Sequence, residues 1–133
     1  MKASREVLAA VEPHFLSLLR IVAGSMFSLH GFQKLFGLLG GRTADAFTLR
    51  WTAGVLETFG GVLLLAGLAT RPVAFLLSGL MAFAYFMSHS PRGFWPVLNG
   101  GELAALYSFL FLYLSAAGPG PWSLDRVFRK GHR

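Results

Sequence analysis

The sequence predicts an all-α integral membrane protein built as a four-helix bundle, and three observations predict it. Hydrophobic residues make up 54% of the 133 positions and charged residues only 14%, with a mean hydropathy of +0.56. Soluble domains carry about 25% charged residues. This chain has too little charge to clothe a water-facing surface, and a bilayer removes that need. Second, four apolar runs stand between clear turn signals. Third, the runs have no polar face: Val62-Leu63-Leu64-Leu65 and Phe109-Leu110-Phe111-Leu112 are apolar all round, unlike a surface helix of a soluble bundle. One domain, 1–133, holds all of them.

The elements follow in order. Residues 1–13 are amphipathic and expected to lie at the membrane interface. Ser4 is placed to cap a short helix with Glu6 in its first turn, and Pro13 is expected to kink or end it. The run Val7–Val11 is too short for a signal peptide, and Glu12 and Pro13 break it, so the segment is expected to stay attached. Spans are expected at about 15–39, 51–69, 73–89 and 102–117. A crossing helix needs about 20 residues, with a range of about 17–25, so the last three are short. Gly40-Gly41-Arg42-Thr43, the tight Thr70-Arg71-Pro72, Ser90-Pro91-Arg92-Gly93 with Asn99-Gly100-Gly101, and Gly118-Pro119-Gly120-Pro121 interrupt the runs. Trp51, Trp95 and Trp122 fall near the ends, as in the aromatic belts of membrane proteins. Residues 118–133 read as a cytoplasmic tail.

Charge sets the orientation. Four spans place both termini and the Arg71 loop on one side. That side carries Lys2, Arg5, Arg71, Arg126, Arg129, Lys130 and Arg133, against Arg42, Arg50 and Arg92 on the other. The excess predicts cytoplasmic termini. The formal charge of +6 gathers at ends and loops rather than along one face. It therefore points to anionic lipid headgroups in the bilayer and not to nucleic acid. With no Cys, there is no disulfide, thiolate nucleophile or CxxC redox pair. The chain has no GxGxxG, Walker A, GxSxG or CxxCH motif, hence no flavin or haem signature. His30, His89, Glu57 and Glu102 have metal-ligand chemistry. However, no HxxxH or ExxH pair exists and Lys34 would repel a cation, so no metal is expected.

The polar residues inside the apolar runs are the informative ones. A charge at the centre of a membrane helix costs about 2.5–3.5 kcal/mol on insertion scales. With the orientation above, His30 and Lys34 on the first span, Glu57 on the second, His89 at the end of the third, and Asn99 and Glu102 before the fourth all fall in the outer half. His30 and Lys34 are four apart and share a face, on the same broad side as Arg20, Gly24, Phe27 and Gly31. Glu57 shares its side with Gly54 and Gly61, which permit close helix approach. A polar pocket lined by His30, Lys34, Glu57, His89 and Glu102 is the natural packing. The alternative is a set of structural ion pairs. Arg20, near the inner end, is expected to form a structural clamp with Asp125.

These segments resemble the DoxX family of small bacterial membrane proteins. The carriers are Arg20-Ile21-Val22-Ala23-Gly24, His30-Gly31-Phe32-Gln33-Lys34-Leu35-Phe36-Gly37, Glu57-Thr58-Phe59-Gly60-Gly61 and Gly67-Leu68-Ala69-Thr70-Arg71. They continue with His89, Asn99-Gly100-Gly101-Glu102, Gly118-Pro119-Gly120 and Ser123-Leu124-Asp125, covering about 15–126. The resemblance implies a four-span bundle in the bacterial inner membrane and, through the family's similarity to a subunit of thiosulfate:quinone oxidoreductase, quinone-linked redox chemistry. On that reading His30 and Lys34 bond quinone oxygens and Glu57 or Glu102 relays protons. Phe27, Phe59 and Phe86 form an aromatic wall, and electrons come from an oxidoreductase partner. Two other readings stand beside it: a non-enzymatic assembly factor or partner subunit, and a small transporter, for which no inverted repeat is visible. Gly60, Gly61 and Gly79 offer faces for a homodimer.

Overall fold

The computed structural model describes residues 2–131. Arg133 and the side chains of Lys2 and Lys130, counted above with the basic groups, lie outside the described residues. Four long helices make the bundle: α1 (Lys2–Phe36), α2 (Leu49–Ala66), α3 (Thr70–Ala84) and α5 (Glu102–Ala117). A one-turn helix, α4 (Pro96–Asn99), precedes α5, and α6 (Leu124–Gly131) follows it. α1 lies along α2, α3 lies along α5, and α2 meets α3 to join the two pairs.

The α1–α2 seam is made by glycines. A methyl group on Gly24 would sit 2.6 Å from the Leu65 amide and 2.8 Å from the Gly61 carbonyl. One on Gly61 would sit 2.6 Å from the Ser28 amide, and one on Gly31 would meet the Gly54 carbonyl at 2.7 Å. The two backbones thus touch directly, as small residues allow in membrane helices. The other pair is tied by reciprocal hydrogen bonds, Ser78 Oγ to the Ser108 carbonyl (2.8 Å) and Ser108 Oγ to the Ser78 carbonyl (3.1 Å). The core between them is Ala23, Phe27, Leu64, Ala74, Leu77, Met81, Tyr107, Phe111 and Leu114. Phe27 stands edge-on to Phe111 at 4.8 Å between ring centres.

The outside is as apolar as the inside. Phe15, Leu19, Met26, Phe59, Phe75, Phe83 and Phe109 all point outward. α1, α2 and the stretch from Thr70 to Arg92 are each long and apolar enough to cross a membrane, while α5, with 16 residues, is shorter. Exposed apolar surface on this scale requires lipid around it. The chain is a helical membrane protein.

Several local expectations change. α1 does not end at Pro13 but runs through it; Ser17 Oγ donates to the Pro13 carbonyl at 3.2 Å. Its C-terminus comes at Phe36, because Gly37 turns left-handed (φ 65°) into a short 3-10 turn at Leu38–Gly40. The tight turn before α3 is Gly67–Ala69 rather than Thr70-Arg71-Pro72. Those three residues are the first helical turn, where Pro lacks only an amide that would go unbonded. Beyond Ala84, α3 continues as a π-helical turn, Tyr85–His89. Within the segment after α5, the Asp125 amide bonds the Gly67 carbonyl at 2.9 Å and seats α6 on the bundle end.

The seam makes a measurable contrast. Gly24→Ala forces a methyl into backbone and is expected to lower stability by about 1–3 kcal/mol. Gly79→Ala, with open space around the new methyl, is expected to be neutral or stabilising by up to about 1 kcal/mol. Thermal unfolding in detergent of both variants checks this.

Candidate functional site

Two polar centres sit on α1, at Arg20 and Lys34, 14 positions apart and so about 21 Å at the helical rise. At the first, Arg20 is fully buried. Its Nε donates to the Pro119 carbonyl at 2.8 Å, and Nη1 to the Leu65 carbonyl at 2.7 Å and to that of Leu64. Nη2 donates to the carbonyl of Trp122. Leu64 and Leu65 belong to the last turn of α2, at the negative end of the helix dipole, where the Leu64 carbonyl also accepts from the Gly67 amide at 3.0 Å. A guanidinium with five donors in a fork satisfies them and holds the 119–122 loop as well.

Asp125 is therefore not Arg20's ion-pair partner, contrary to the expected clamp. Its carboxylate accepts from the amides of Ala69 (2.7 Å) and Thr70 (2.9 Å) and so caps the N-terminus of α3. Ala69, the N-cap residue with φ 50°, has no side chain for that task. Asp125 supplies the cap from far along the chain. Both residues stabilise the same junction, through backbone and not through each other.

The second centre is the Lys34–Glu57 ion pair, Nζ to Oε1 at 2.5 Å. It is the only ion pair among the described residues. The Glu57 side chain is 3% exposed and that of Lys34 26%. Glu57 Oε2 is buried and has no hydrogen-bond partner. The pair forms part of the wall of a cavity of about 300 Å³ whose lining also includes His30, His89, Phe27, Ser88 and Tyr107. A second hollow of about 530 Å³, between α2 and α3, shares Lys34, Glu57, Ala84 and Ser88 with the first. Its remaining wall is mostly apolar, with Leu56, Leu80, Phe83 and Met87. The ion pair thus stands between a chamber that carries two histidines and an apolar groove.

The structure brings His30, Lys34, Glu57 and His89 together and separates two of the expected members. Asn99 is buried but committed. Its Nδ2 donates to the Gly93 carbonyl (2.6 Å) and the Tyr85 hydroxyl (3.2 Å), and its Oδ1 accepts from the Gly101 amide (2.8 Å). Tyr85 in turn donates to the Phe94 carbonyl. Asn99 holds the loop that carries His89, whose Nδ1 lies 3.3 Å from the Asn99 carbonyl and 3.2 Å from Arg92 Nη2. Glu102 is exposed and faces a different surface groove with Pro96, Leu106 and Phe109, because the first turn of α5 rotates it away from the chamber. Of the expected aromatic wall only Phe27 is present. Phe59 and Phe86 are 66% and 60% exposed on the outer surface.

Tyr107 and Ser88 escaped the sequence reading. Met81, Ala84 and Ser88, at spacings of three and four, share one face of α3, and Leu103 and Tyr107 share one of α5. That spacing is the signal that leads to them. Among the described residues no three of His, Cys, Asp or Glu gather where a metal would be held.

The DoxX family model matches residues 15–90. A protein of Haemophilus influenzae is 46% identical over 130 residues, covering 92% of this chain and 97% of its own, and is described as an uncharacterized protein. A Bacillus subtilis protein named "Putative oxidoreductase CatD" is 27% identical, covering 87% of this chain and 88% of its own. A Mycobacterium tuberculosis protein described as an uncharacterized membrane protein is 30% identical, covering 93% and 87%. No solved structure matches the chain.

Removing one half of a buried ion pair costs more than removing both. Lys34→Met is expected to lower stability by about 3–5 kcal/mol, since it strands a buried carboxylate. Lys34→Met with Glu57→Gln is expected to recover most of that loss, as read by thermal unfolding in one detergent.

Proposed function

Because the chain belongs to the DoxX family of membrane proteins, we propose that it holds a quinone or a similar small amphiphile in the chamber between α1, α2, α3 and α5. On this reading it acts as a membrane subunit of a redox system. The observation that carries this reading is Glu57: a buried carboxylate with one oxygen on Lys34 and the other without a partner, on the wall of a chamber that also bears two histidines. Intramembrane ionisable groups mark functional paths more often than they stabilise, because they are costly to insert and interhelical polar contacts return little. The similarity to the Bacillus subtilis protein named as an oxidoreductase lends support.

The residues present fit a quinone. The unpartnered Glu57 oxygen, the ring nitrogens of His30 and Nε2 of His89 leave hydrogen-bonding capacity open in the chamber. The ammonium of Lys34 and the ring of His30 would hold the two carbonyl oxygens, and Glu57 would hold the proton that exchanges with them. Phe27 and Tyr107 supply flat apolar surface against the ring. A chamber of about 300 Å³ matches a head-group-sized ligand, at the small end of ligand pockets. The groove between α2 and α3 takes an apolar tail toward the lipid. A quinone carries two electrons and two protons between partners. With no Cys in the chain and no cofactor motif, the electrons come from a partner oxidoreductase.

The same proposal sets the topology: four crossings of the bacterial inner membrane, with both termini cytoplasmic and the chamber in the outer half. It rests on the excess of Lys and Arg at the end that carries Arg71 and α6. Because the chain lacks Cys, single-cysteine variants report this directly. Asp45→Cys in spheroplasts is expected to react with an impermeant thiol reagent, and Ser4→Cys only after lysis.

Gently extracted protein is expected to retain quinone by native mass spectrometry. Lys34→Met and Glu57→Gln are each expected to weaken quinone binding about tenfold or more. Absence of bound quinone together with no quinone-coupled electron transfer in proteoliposomes sinks the reading. In that case the pair serves only to hold the bundle.

A further inference from the structure

The other end of the bundle carries a second concave site that the redox reading does not use. It is about 520 Å³, walled by Pro13 and Leu16 of α1, the loop at Pro119–Pro121, and three arginines: Arg71, Arg126 and Arg129. Arg71 is fixed in place. Its Nη1 donates to the carbonyls of Ser115 (3.1 Å) and Ala116 and its Nη2 to that of Ala117 (3.4 Å) at the end of α5, which leaves Nε–H and one Nη2 hydrogen unspent. Arg126 and Arg129 are three apart on α6, hence on one face, where like charges repel. Neither forms an ion pair within the described residues, since the sole pair is Lys34–Glu57. The one acid in the site, Asp125, has both oxygens on the amides of Ala69 and Thr70. Three guanidinium groups against one committed carboxylate leave an uncompensated positive site.

Its surroundings select the anion. α6 turns exposed Leu124, Val127 and Phe128 to its other side. Trp122, half exposed and tilted against His14 at 5.2 Å, sits beside the site as an interfacial aromatic does. A basic amphipathic helix with an apolar face, next to a tryptophan at the bundle end, is the arrangement that lies along a headgroup layer. Guanidinium forks match phosphate oxygens bidentately. We propose that Arg71, Arg126 and Arg129 form a binding site for the phosphodiester headgroup of an anionic lipid, with α6 as its lid along the membrane surface.

The test uses the full-length protein in a neutral detergent. Phosphatidylglycerol in mixed micelles is expected to raise the unfolding temperature and to be retained in native mass spectra. Phosphatidylcholine, and inorganic phosphate at matched ionic strength, are expected to do neither. Arg126→Gln with Arg129→Gln is expected to weaken phosphatidylglycerol binding about ten- to thirtyfold. Its unfolding temperature without lipid should be unchanged, since both side chains are exposed. If that variant does not fold, Arg126→Lys with Arg129→Lys decides, with a several-fold loss expected from the missing forks. Equal stabilisation by phosphatidylcholine, equal stabilisation by inorganic phosphate, or unchanged affinity in the variant each overturns the proposal.

Discussion

Direct backbone contact between α1 and α2 is the constraint on which the rest of the structure depends. Gly24 and Gly31 on one helix meet Gly54 and Gly61 on the other so closely that no Cβ fits between them. In lipid no hydrophobic force draws helices together, so close packing and interhelical hydrogen bonds must supply the association. The seam also fixes where the polar residues fall. With the two backbones in contact, Lys34 and Glu57 meet across the gap at 2.5 Å, and Arg20 reaches the carbonyls of Leu64 and Leu65 in the last turn of α2. A wider helix spacing would strand all three charges.

The two polar centres solve different problems. Arg20 is spent on structure, with four of its five donors on backbone carbonyls. Its donors complete the last turn of α2 and hold the loop before α6, and Asp125 completes the first turn of α3 next to it. Every polar group there has a protein partner apart from Thr70 Oγ1. The Lys34–Glu57 centre is incomplete by contrast. One carboxylate oxygen lacks a partner, and the pair borders hollows on two sides. Buried polar groups in proteins are nearly always satisfied. An unsatisfied carboxylate oxygen beside a cavity is the observation on which the proposed ligand site rests. The π-helical turn at Tyr85–His89 adds to this, since such turns occur often at functional sites and this one carries His89 to the chamber wall.

Legibility of the site in the sequence depended on how each residue acts. His30, Lys34 and Glu57 were legible because a charge in an apolar run is conspicuous and helical spacing gives its face. Asn99 and Glu102 were conspicuous too, but they lie where helix phase breaks. Asn99 ends the one-turn helix α4 and Glu102 opens α5, both beyond the turns that follow α3, and no periodicity crosses such a break. Phe59 and Phe86 were misplaced because aromatic residues suit lipid and core alike. The Arg20–Asp125 pairing failed for a further reason: opposite charges suggest each other, whereas both found backbone groups left open by helix ends.

The sequence by itself determined that the chain is a helical membrane protein, roughly where its helices run, and which residues are too polar for their surroundings. Those properties follow from composition and period, which are local. Only the tertiary structure decided the partners: that α1 passes through Pro13, that Asp125 caps a helix 55 positions earlier in the chain, and that Glu57 keeps one oxygen free beside a chamber. Partners depend on the distance and rotation between helices, and in this protein glycine-to-glycine contact sets both.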